Sequence, residues 1–266
     1  MTIRGAEPLT LENLLTDLRA CGVCEGQTLI VHGSLSRIGY VIGGAETVVR
    51  ALLAAVGNMG TLVVPTQTWR NLDPGRGVHG DVPEAWYPAL REHWPAYDPA
   101  ITPSLNMGIL AETIRLWPGA TRSTHPARSF AALGAKANEI TAEHPLESPT
   151  GEGSPLAKLY DLRAHVLLLG VGHDKNTSLH LAEDRANYTP KSVITESSAV
   201  SIEGQRRWVS YEVLEPISDD FETIGAAFEE EVGLEPCYVG EAETKLLEQR
   251  ALVNFAAAYM EVHRSK

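Results

Sequence analysis

The order of elements in residues 9–66 is the feature that most constrains the fold. A helical segment is followed by an apolar strand, a polar loop, a second helix and a second apolar strand. The two strands, Thr28–Val31 and Gly60–Thr66, are dominated by apolar residues, as is usual for strands buried on both faces. Ala45–Val56, between them, carries its large apolar side chains at helical spacing. A strand–helix–strand unit of this kind predicts a parallel sheet.

A third apolar run, His165–Leu169, also ends in a polar turn that leads into a helix. The sequence from position 170 to position 183 is GVGHDKNTSLHLAE, which contains His180 and Glu183. In open α/β sheets, ligands bind beyond the carboxyl ends of the strands. We therefore expect functional side chains in this segment, with His180 as the first candidate.

The remaining segments complete the predicted architecture. Residues 67–106 are rich in Trp, Tyr and Pro and show little periodicity, which indicates either a substrate-side loop or an irregular cover of the sheet. Residues 191–216 contain two β-rich runs around Glu203 and predict an antiparallel hairpin. A helix at 221–231, a short strand at 235–240 and a terminal helix at 241–262 follow.

The fold class that follows is α/β, with a largely parallel central sheet flanked by helices, a long irregular loop region and a β-rich C-terminal hairpin. We expect residues 1–266 to form a single domain, because no internal repeat or low-complexity linker divides the chain.

Composition narrows the possible partners. The net charge of −12 disfavours nucleic acid, whose phosphates require Lys and Arg, and is compatible with a cationic small molecule. The negative charge is equally explained by solubility alone, as in many acidic proteins. Since no apolar run approaches the roughly 20 residues of a membrane span, we expect no membrane association.

The cysteines predict a reducing environment. There are three, Cys21, Cys24 and Cys237, and a low, odd number indicates no disulfide framework. Cys21 and Cys24 form a C-x-x-C pair at a helix end with no second pair to complete a zinc site. With no signal-peptide pattern at the start, we expect a cytoplasmic protein.

Three polar turns supply histidine and hydroxyl groups beside apolar elements: 32–36, 124–129 and 172–180. Each has an ordinary structural explanation, because Ser34, Ser36 and Thr177 can cap helices and Glu183 can favour a helix dipole. A metal site at His173, His180 and Glu183 is a further alternative. The sequence contains no G-x-S-x-G and no P-loop lysine motif, so these common nucleophile and nucleotide sites are not indicated.

Four segments in order resemble the signature blocks of the aminoglycoside 3-N-acetyltransferase family, which is distinct from the GNAT acetyltransferases. The segments are VHGSLSRIG from position 31, THPARSFAALG from 124, GSPL from 153 and GVGHDKNTSLHLAE from 170. The resemblance covers most of the chain. It departs at Gly33, where many relatives have serine; a glycine lets the backbone approach a ligand closely.

The resemblance implies a cytoplasmic antibiotic-resistance enzyme, an acyltransferase that uses acetyl-CoA as co-substrate and modifies the 3-amino group of 2-deoxystreptamine aminoglycosides. It also implies that His180 is the catalytic base, that an acid on the downstream hairpin holds the imidazole, and that transfer is direct. The candidates for this acid are Glu212 and Glu215, which point to opposite faces of a strand; we favour Glu212. Thr177, or backbone amides near Ser34–Ser36, would stabilise the oxyanion.

The remaining candidate site residues are assigned by ligand. The cofactor-binding candidates are His32, Gly33, Ser34, Leu35, Ser36 and Ser129, with the pantetheine and pyrophosphate along the turn at a helix N-terminus. The substrate-binding candidates are Asp73, Glu183 and Glu215, and the loop region adds Asp81, Glu84, Glu92 and Asp98 as acids that can hold ammonium groups.

Three alternatives remain open. The enzyme can acetylate another amine, the chain can bind a cationic ligand without catalysis, or His173, His180 and Glu183 can form a metal-dependent amidohydrolase. We expect no bound metal, no nucleic-acid partner, and a monomer or homodimer.

Overall fold

The computed structural model describes residues 7–80 and 82–265. Over these residues, seven strands form a mixed sheet in the order β3-β4-β2-β1-β5-β9-β8, and β6 and β7 pair separately as a hairpin. The strands are β1 (Thr28–Gly33), β2 (Thr61–Pro65), β3 (Thr121–Arg122), β4 (Phe130–Gly134), β5 (His165–Leu169), β6 (Val193–Ile202), β7 (Gln205–Leu214), β8 (Cys237–Val239) and β9 (Ala242–Glu248). The helices are α1 (Leu11–Ala20), α2 (Leu35–Ile38), α3 (Ala45–Val56), α4 (Tyr87–His93), α5 (Gly108–Arg115), α6 (Ala137–Thr141), α7 (Pro155–Asp161), α8 (Leu179–Arg185), α9 (Phe221–Val232) and α10 (Gln249–His263).

The centre of the sheet is parallel, as the β1–α3–β2 unit predicts. Strand β1 pairs in parallel with β2 on one side and with β5 on the other. Strands β4 and β9 add antiparallel neighbours, and the edge strands β3 and β8 run again in the direction of the centre. The predicted α/β class is confirmed.

Helices cover both faces of the sheet because successive β1 side chains point in opposite directions. Leu29 and Val31 pack with apolar residues of α1, α3 and α5 in one core. Ile30 faces the other core, which contains apolar residues of α6 through α10. The carboxyl ends of β1 and β5 are thus held between two packed layers, and this fixes the loops that follow them.

The C-terminal segment differs from its prediction. Residues 241–262 are expected to carry a terminal helix, and α10 is present from Gln249, but Ala242–Glu248 before it forms β9, paired antiparallel with β5. The Glu, Lys and Leu residues of β9 favour helices, so local propensity is misleading here. The strand is nevertheless favoured because β5 offers it a complete backbone partner inside the sheet.

The cysteine prediction is also corrected. Cys21, directly after α1, forms a disulfide with Cys237 at the start of β8, across 216 residues of sequence. Cys24 is a free, exposed thiol. The odd count conceals the pair, because the two partners are brought together only by the packing of α1 against the sheet edge.

The predicted hairpin is present, and it is joined to the irregular region at 67–106. The amide of Asp73 donates to the carbonyl of Ser197 at 2.9 Å, and the amide of Tyr97 donates to that of Ala199 at 3.0 Å. These bonds anchor the 67–106 region on β6. The region itself contains α4 and several short turns. Among the residues described, no helix combines the length and apolar character needed to cross a bilayer.

Candidate active site

A cavity of about 660 Å³ opens where the carboxyl ends of β1, β2 and β5 meet. Its lining from the first two strands includes His32, Gly33 and Pro65, and Val171 follows the third. Parallel neighbours bring these ends to the same edge of the sheet, which is where the sequence predicts a site. The lining also includes Ser34, Leu35, Ser36, Trp69, Arg128, Asp174, Lys175, Thr177, His180 and Phe221.

His180 reaches this cavity from the first turn of α8. The chain leaves β5 through Gly170, whose φ of +69° suits glycine and where a Cβ atom would lie 2.6 Å from the Cβ of Arg37. The turn then leads into α8, where the His180 amide donates to the carbonyl of Thr177 at 3.1 Å. The imidazole packs edge-on against the ring of Phe221, with 4.8 Å between ring centroids.

Glu183 holds the imidazole. Its Oε2 lies 2.9 Å from Nδ1 of His180, one helical turn earlier. Its Oε1 accepts hydrogen bonds from the backbone amide of Ile217 at 2.9 Å and from Nη1 of Arg264 at 2.7 Å. The carboxylate is almost completely buried, and these three contacts fix its orientation.

The contact defines the tautomer of His180. An ionised carboxylate only accepts hydrogen bonds, so Nδ1 must donate its proton to Glu183. In the neutral imidazole the lone pair then resides on Nε2. No described residue forms a hydrogen bond with Nε2, and the side chain lines the cavity with 16% of its surface exposed. This nitrogen can accept a proton from a bound molecule.

His32 contributes a second, neutral imidazole. Burial, and to a smaller extent the nearby His173, lower its pKa to about 3, so it does not carry charge at neutral pH. Its Nε2 lies 3.5 Å from Oγ1 of Thr177, at the outer limit of a hydrogen bond. The two turns at 32–36 and 172–180 therefore meet across the cavity.

The 33–36 segment presents backbone and small hydroxyl groups. The amide of Ser34 donates to the carbonyl of Leu169 at 3.0 Å, and the hydroxyls of Ser34 and Ser36 are 3.1 Å apart. A Cβ atom at Gly33 would lie 2.9 Å from Cδ1 of Leu110, so glycine allows α5 to pack closely here. The helix that follows, α2, has only four residues.

The profile of the aminoglycoside 3-N-acetyltransferase family matches residues 30–261. The chain belongs to this family. A Bacillus subtilis relative, the SPbeta prophage-derived aminoglycoside N(3')-acetyltransferase-like protein YokD, is 40% identical over 97% of this chain and 95% of its own length. Aminoglycoside N(3)-acetyltransferase VII of Streptomyces paromomycinus is 39% identical over 97% of this chain and 93% of its own.

Solved structures agree. The crystal structure of the YokD protein superimposes with a TM-score of 0.95, covering 98% of this chain and 96% of its own. The structure described as AAC-IIIb binary with CoASH gives a TM-score of 0.86 at 32% identity, covering 96% and 97%. The sequence-based prediction of an acetyl-CoA-dependent acyltransferase of this family is confirmed.

In this acetyltransferase the acid that contacts His180 is not the one predicted from the sequence. Glu212 lies exposed on β7, opposite Thr195, and is absent from the cavity lining. Glu215 also lies outside the lining. Glu183, expected to bind substrate, occupies the partner's place instead, because three residues along a helix bring its carboxylate beneath the imidazole.

Two further candidates lie apart from the cavity. Asp73 forms a bidentate pair with Arg91, at 2.6 and 2.9 Å, which lowers the pKa of its carboxyl group and occupies both of its oxygens. Ser129 is fully buried, and its hydroxyl donates to the carbonyl of Thr66. Asp81 lies outside the described residues.

Arg128 is a site residue that the sequence does not predict. This side chain lines the cavity, forms a buried bidentate pair with Glu196 of β6, and lies over the ring of Trp69 at 5.2 Å. Nδ1 of His125 accepts the amide of Arg128 at 3.0 Å, so the 124–129 turn presents the guanidinium rather than its own histidine. Arg128 falls within the family block at 124–134, but a lone Arg in a sequence carries no signal of burial.

His173 is a structural residue of the turn. It is 1% exposed, and its Nε2 lies 2.8 Å from Oε1 of Glu229, away from the imidazole of His180. Within residues 7–80 and 82–265, no set of three His, Cys, Asp or Glu side chains is gathered as metal ligands. The geometry of His173, His180 and Glu183 therefore does not form the metal site considered from sequence.

Proposed function

We propose that the chain transfers the acetyl group of acetyl-CoA directly to the 3-amino group of a 2-deoxystreptamine aminoglycoside, with His180 as general base. The single observation that supports the mechanism most is that His180 lines the cavity with no hydrogen bond from a described residue to its Nε2, while Nδ1 is held by the Glu183 carboxylate. An imidazole so oriented accepts a proton at Nε2 and is stabilised as imidazolium by the carboxylate at Nδ1.

The donor would lie along the 32–36 segment. A second cavity of about 650 Å³ adjoins the first and shares Ser34, Val171, Asp174 and Lys175 with it. Its lining includes Arg37, Lys175 and Lys245, whose positive charges suit the phosphates of CoA, together with the carboxylates of Asp174, Glu241 and Glu243. Lys175 and Lys245 are paired with Asp174 and Glu229, each at 2.7 Å, and would exchange these partners for phosphates. Because the two cavities adjoin, acetyl-CoA can place its thioester end beside His180 and its phosphates over these cations.

The transfer requires one proton to move as the C–N bond forms. The acceptor nitrogen attacks the thioester carbonyl carbon and passes a proton to Nε2 of His180. The tetrahedral intermediate then collapses, the C–S bond breaks, and the CoA sulfur leaves with its electron pair and takes up the proton. Thr177 and the amides of the 33–36 segment are the candidates to donate to the developing oxyanion.

A less highly charged amine is the second candidate acceptor. Among the described residues that line the cavity, Asp174 is the acidic one, whereas Arg128 and Lys175 are cationic. An aminoglycoside carries several ammonium groups, and a site of this balance attracts them less than an acidic cleft does. A panel of aminoglycosides and simple amines distinguishes the two, with thiol release from acetyl-CoA as the readout.

The general base is tested with His180→Gln, and His93→Gln serves as an exposed control. We expect turnover of the best acceptor to fall by about 10²- to 10⁴-fold in the first variant, with acetyl-CoA affinity within a factor of about two. The control should retain wild-type turnover. Near-normal turnover of His180→Gln would contradict the assignment. Thiol release that needs no acceptor, or drug protection without CoA consumption, would contradict transfer, and loss of activity in EDTA would indicate the metal alternative.

A further inference from the structure

Arg264, directly after α10, forms a network of hydrogen bonds behind the Glu183–His180 pair. Its Nη1 donates to Oε1 of Glu183 at 2.7 Å and lies 3.2 Å from the hydroxyl of Tyr188. Its Nε donates to Oδ2 of Asp220 at 2.8 Å, and Nη2 donates to Oδ1 of Asp220 and to the carbonyl of Ile217. The side chain is 8% exposed.

The guanidinium stays charged in this setting. Burial opposes its charge, but the hydrogen bonds to Asp220 and Glu183 outweigh burial and raise its pKa above the ordinary value for Arg. A buried carboxylate with no cationic partner is costly, and Glu183 is 2% exposed. Arg264 supplies that partner on the side of Glu183 opposite His180.

The two oxygens of Glu183 are thus divided between two tasks. Oε1 is held by Arg264 and by the amide of Ile217, which leaves Oε2 aimed at Nδ1 of His180. Only Nη1 reaches Glu183, whereas Nε and Nη2 of the same planar group are held by Asp220. Because the guanidinium is rigid, the Asp220 contact fixes the direction in which Nη1 meets Oε1. The orientation of the base therefore depends on a residue 84 positions later in the sequence.

The same side chain also bears on the aromatic wall of the site. Asp220 accepts hydrogen bonds from Nε and Nη2 of Arg264. It immediately precedes Phe221, whose ring packs against the His180 imidazole. Arg264 therefore contacts Glu183 directly and holds Asp220, the residue next to Phe221, so it bears on both the carboxylate and the ring that pack against the imidazole. Arg264 lies beyond the segment matched by the family profile, which ends at residue 261.

We propose that Arg264 is a positioning residue that orients Glu183, and through it holds His180 as the tautomer with its proton on Nδ1. This rests on the proposed function in one respect, the role of His180 as base. Arg264 does not line the cavity, so substrate affinity should be insensitive to it.

The test uses Arg264→Gln and Arg264→Lys, with Arg250→Gln as the matched control. Arg250 lies on α10, the helix that ends just before Arg264, but its guanidinium bonds to the carbonyls of Tyr160 and Asp161. We expect kcat of Arg264→Gln to fall by about 10- to 100-fold, the range for loss of a charged hydrogen bond, with KM for acetyl-CoA within about twofold. Arg264→Lys should recover part of kcat, and Arg250→Gln should match wild type.

An activity-independent readout is the ¹⁵N spectrum of the His180 side chain, assigned by comparison with His180→Gln. We expect a single Nδ1-protonated tautomer in wild type and Arg250→Gln, and a mixture in Arg264→Gln. Should Arg264→Gln fail to fold, as judged by circular dichroism, Arg264→Lys is measured in its place, and a partial shift to the mixture is expected.

An unchanged tautomer or an unchanged kcat would overturn the positioning role, as would an equal loss in Arg250→Gln. These results are separable from failure of the proposed function. If His180→Gln retains turnover, His180 is not the base, whereas the tautomer spectra still report whether Arg264 orients the imidazole.

Discussion

The Nδ1 atom of His180 lies 2.9 Å from Oε2 of Glu183, one turn further along the same helix. The proposed base and its orienting acid therefore come from a single short segment, α8. The rest of the site is assembled around this rigid pair by other elements, with Phe221 from α9 and the 32–36 turn after β1.

Glu183→Gln should lower kcat strongly, whereas Glu212→Gln should not. The amide cannot stabilise the imidazolium as a carboxylate does, and it can bind the wrong tautomer. We expect a loss of about 10²-fold or more in kcat for the first variant, measured by acceptor-dependent thiol release. Glu212 is exposed on β7 and serves as the matched control. A greater loss in Glu212→Gln than in Glu183→Gln would restore the hairpin acid as the partner.

Glu196→Ala should destabilise the fold by about 3–5 kcal/mol, since it leaves the buried guanidinium of Arg128 without its carboxylate. The measurement is urea unfolding followed by fluorescence. Thr195→Ala, at the neighbouring exposed position of the same strand, should change the free energy of unfolding by less than about 0.5 kcal/mol. Equal effects of the two substitutions would show that the pair is not the source of stability.

Acid should destabilise the protein through its buried histidines. Burial lowers the pKa of His32 to about 3 and that of His144 to about 4, below the ordinary value of about 6.5. Below about pH 6.5 the unfolded chain takes up these protons and the folded chain does not. The free energy of unfolding therefore has its full value above that pH and decreases as the pH falls toward 4. Each group contributes a slope of up to about 1.4 kcal/mol per pH unit.

Urea titrations between pH 7.5 and 4.5 measure this slope. His144→Gln should show a shallower decline than wild type, and His93→Gln, an exposed control, should show the same decline as wild type. A slope unchanged in His144→Gln would contradict this, because it would mean that the histidine binds protons equally in the folded and unfolded chains.

Reduction should lower the thermal stability of the protein. The Cys21–Cys237 bond closes a loop of more than 200 residues, and a native disulfide typically contributes about 2–5 kcal/mol. We expect the melting temperature to fall in dithiothreitol for wild type and for Cys24→Ser alike. Cys21→Ser should melt at the lower temperature with or without reductant. Alkylation and mass spectrometry without reductant should label only Cys24, and labelling of Cys21 would contradict the pairing.

The sequence predicts those parts of the fold whose signal is local. Strand β1, helix α3 and strand β5 carry apolar runs or helical periodicity strong enough to place them and the turns that follow. His180 is found for the same reason, because it falls within a recognisable block beyond a strand end. The family resemblance then adds the chemistry.

The rest depends on contacts between distant segments. Strand β9 has the composition of a helix and becomes a strand because β5 is beside it. The partner of His180 is expected on the hairpin, but the ionic link to Arg264 and the amide of Ile217 secure Glu183 beneath the imidazole. No local pattern marks Arg264 or the Cys21–Cys237 pair, since each acquires its role only when α10 and β8 are in place.

The backbone bonds that join the 67–106 region to β6 have a consequence for protein engineering. The Asp73 and Tyr97 amides are paired with hairpin carbonyls, and Arg206 of β7 reaches the carbonyls of Arg91 and Trp94. A loop taken from a relative would lose these partners unless the hairpin came with it. Chimeras that exchange both segments as one cassette should therefore fold, whereas exchange of either alone should leave mismatched edges and an insoluble product.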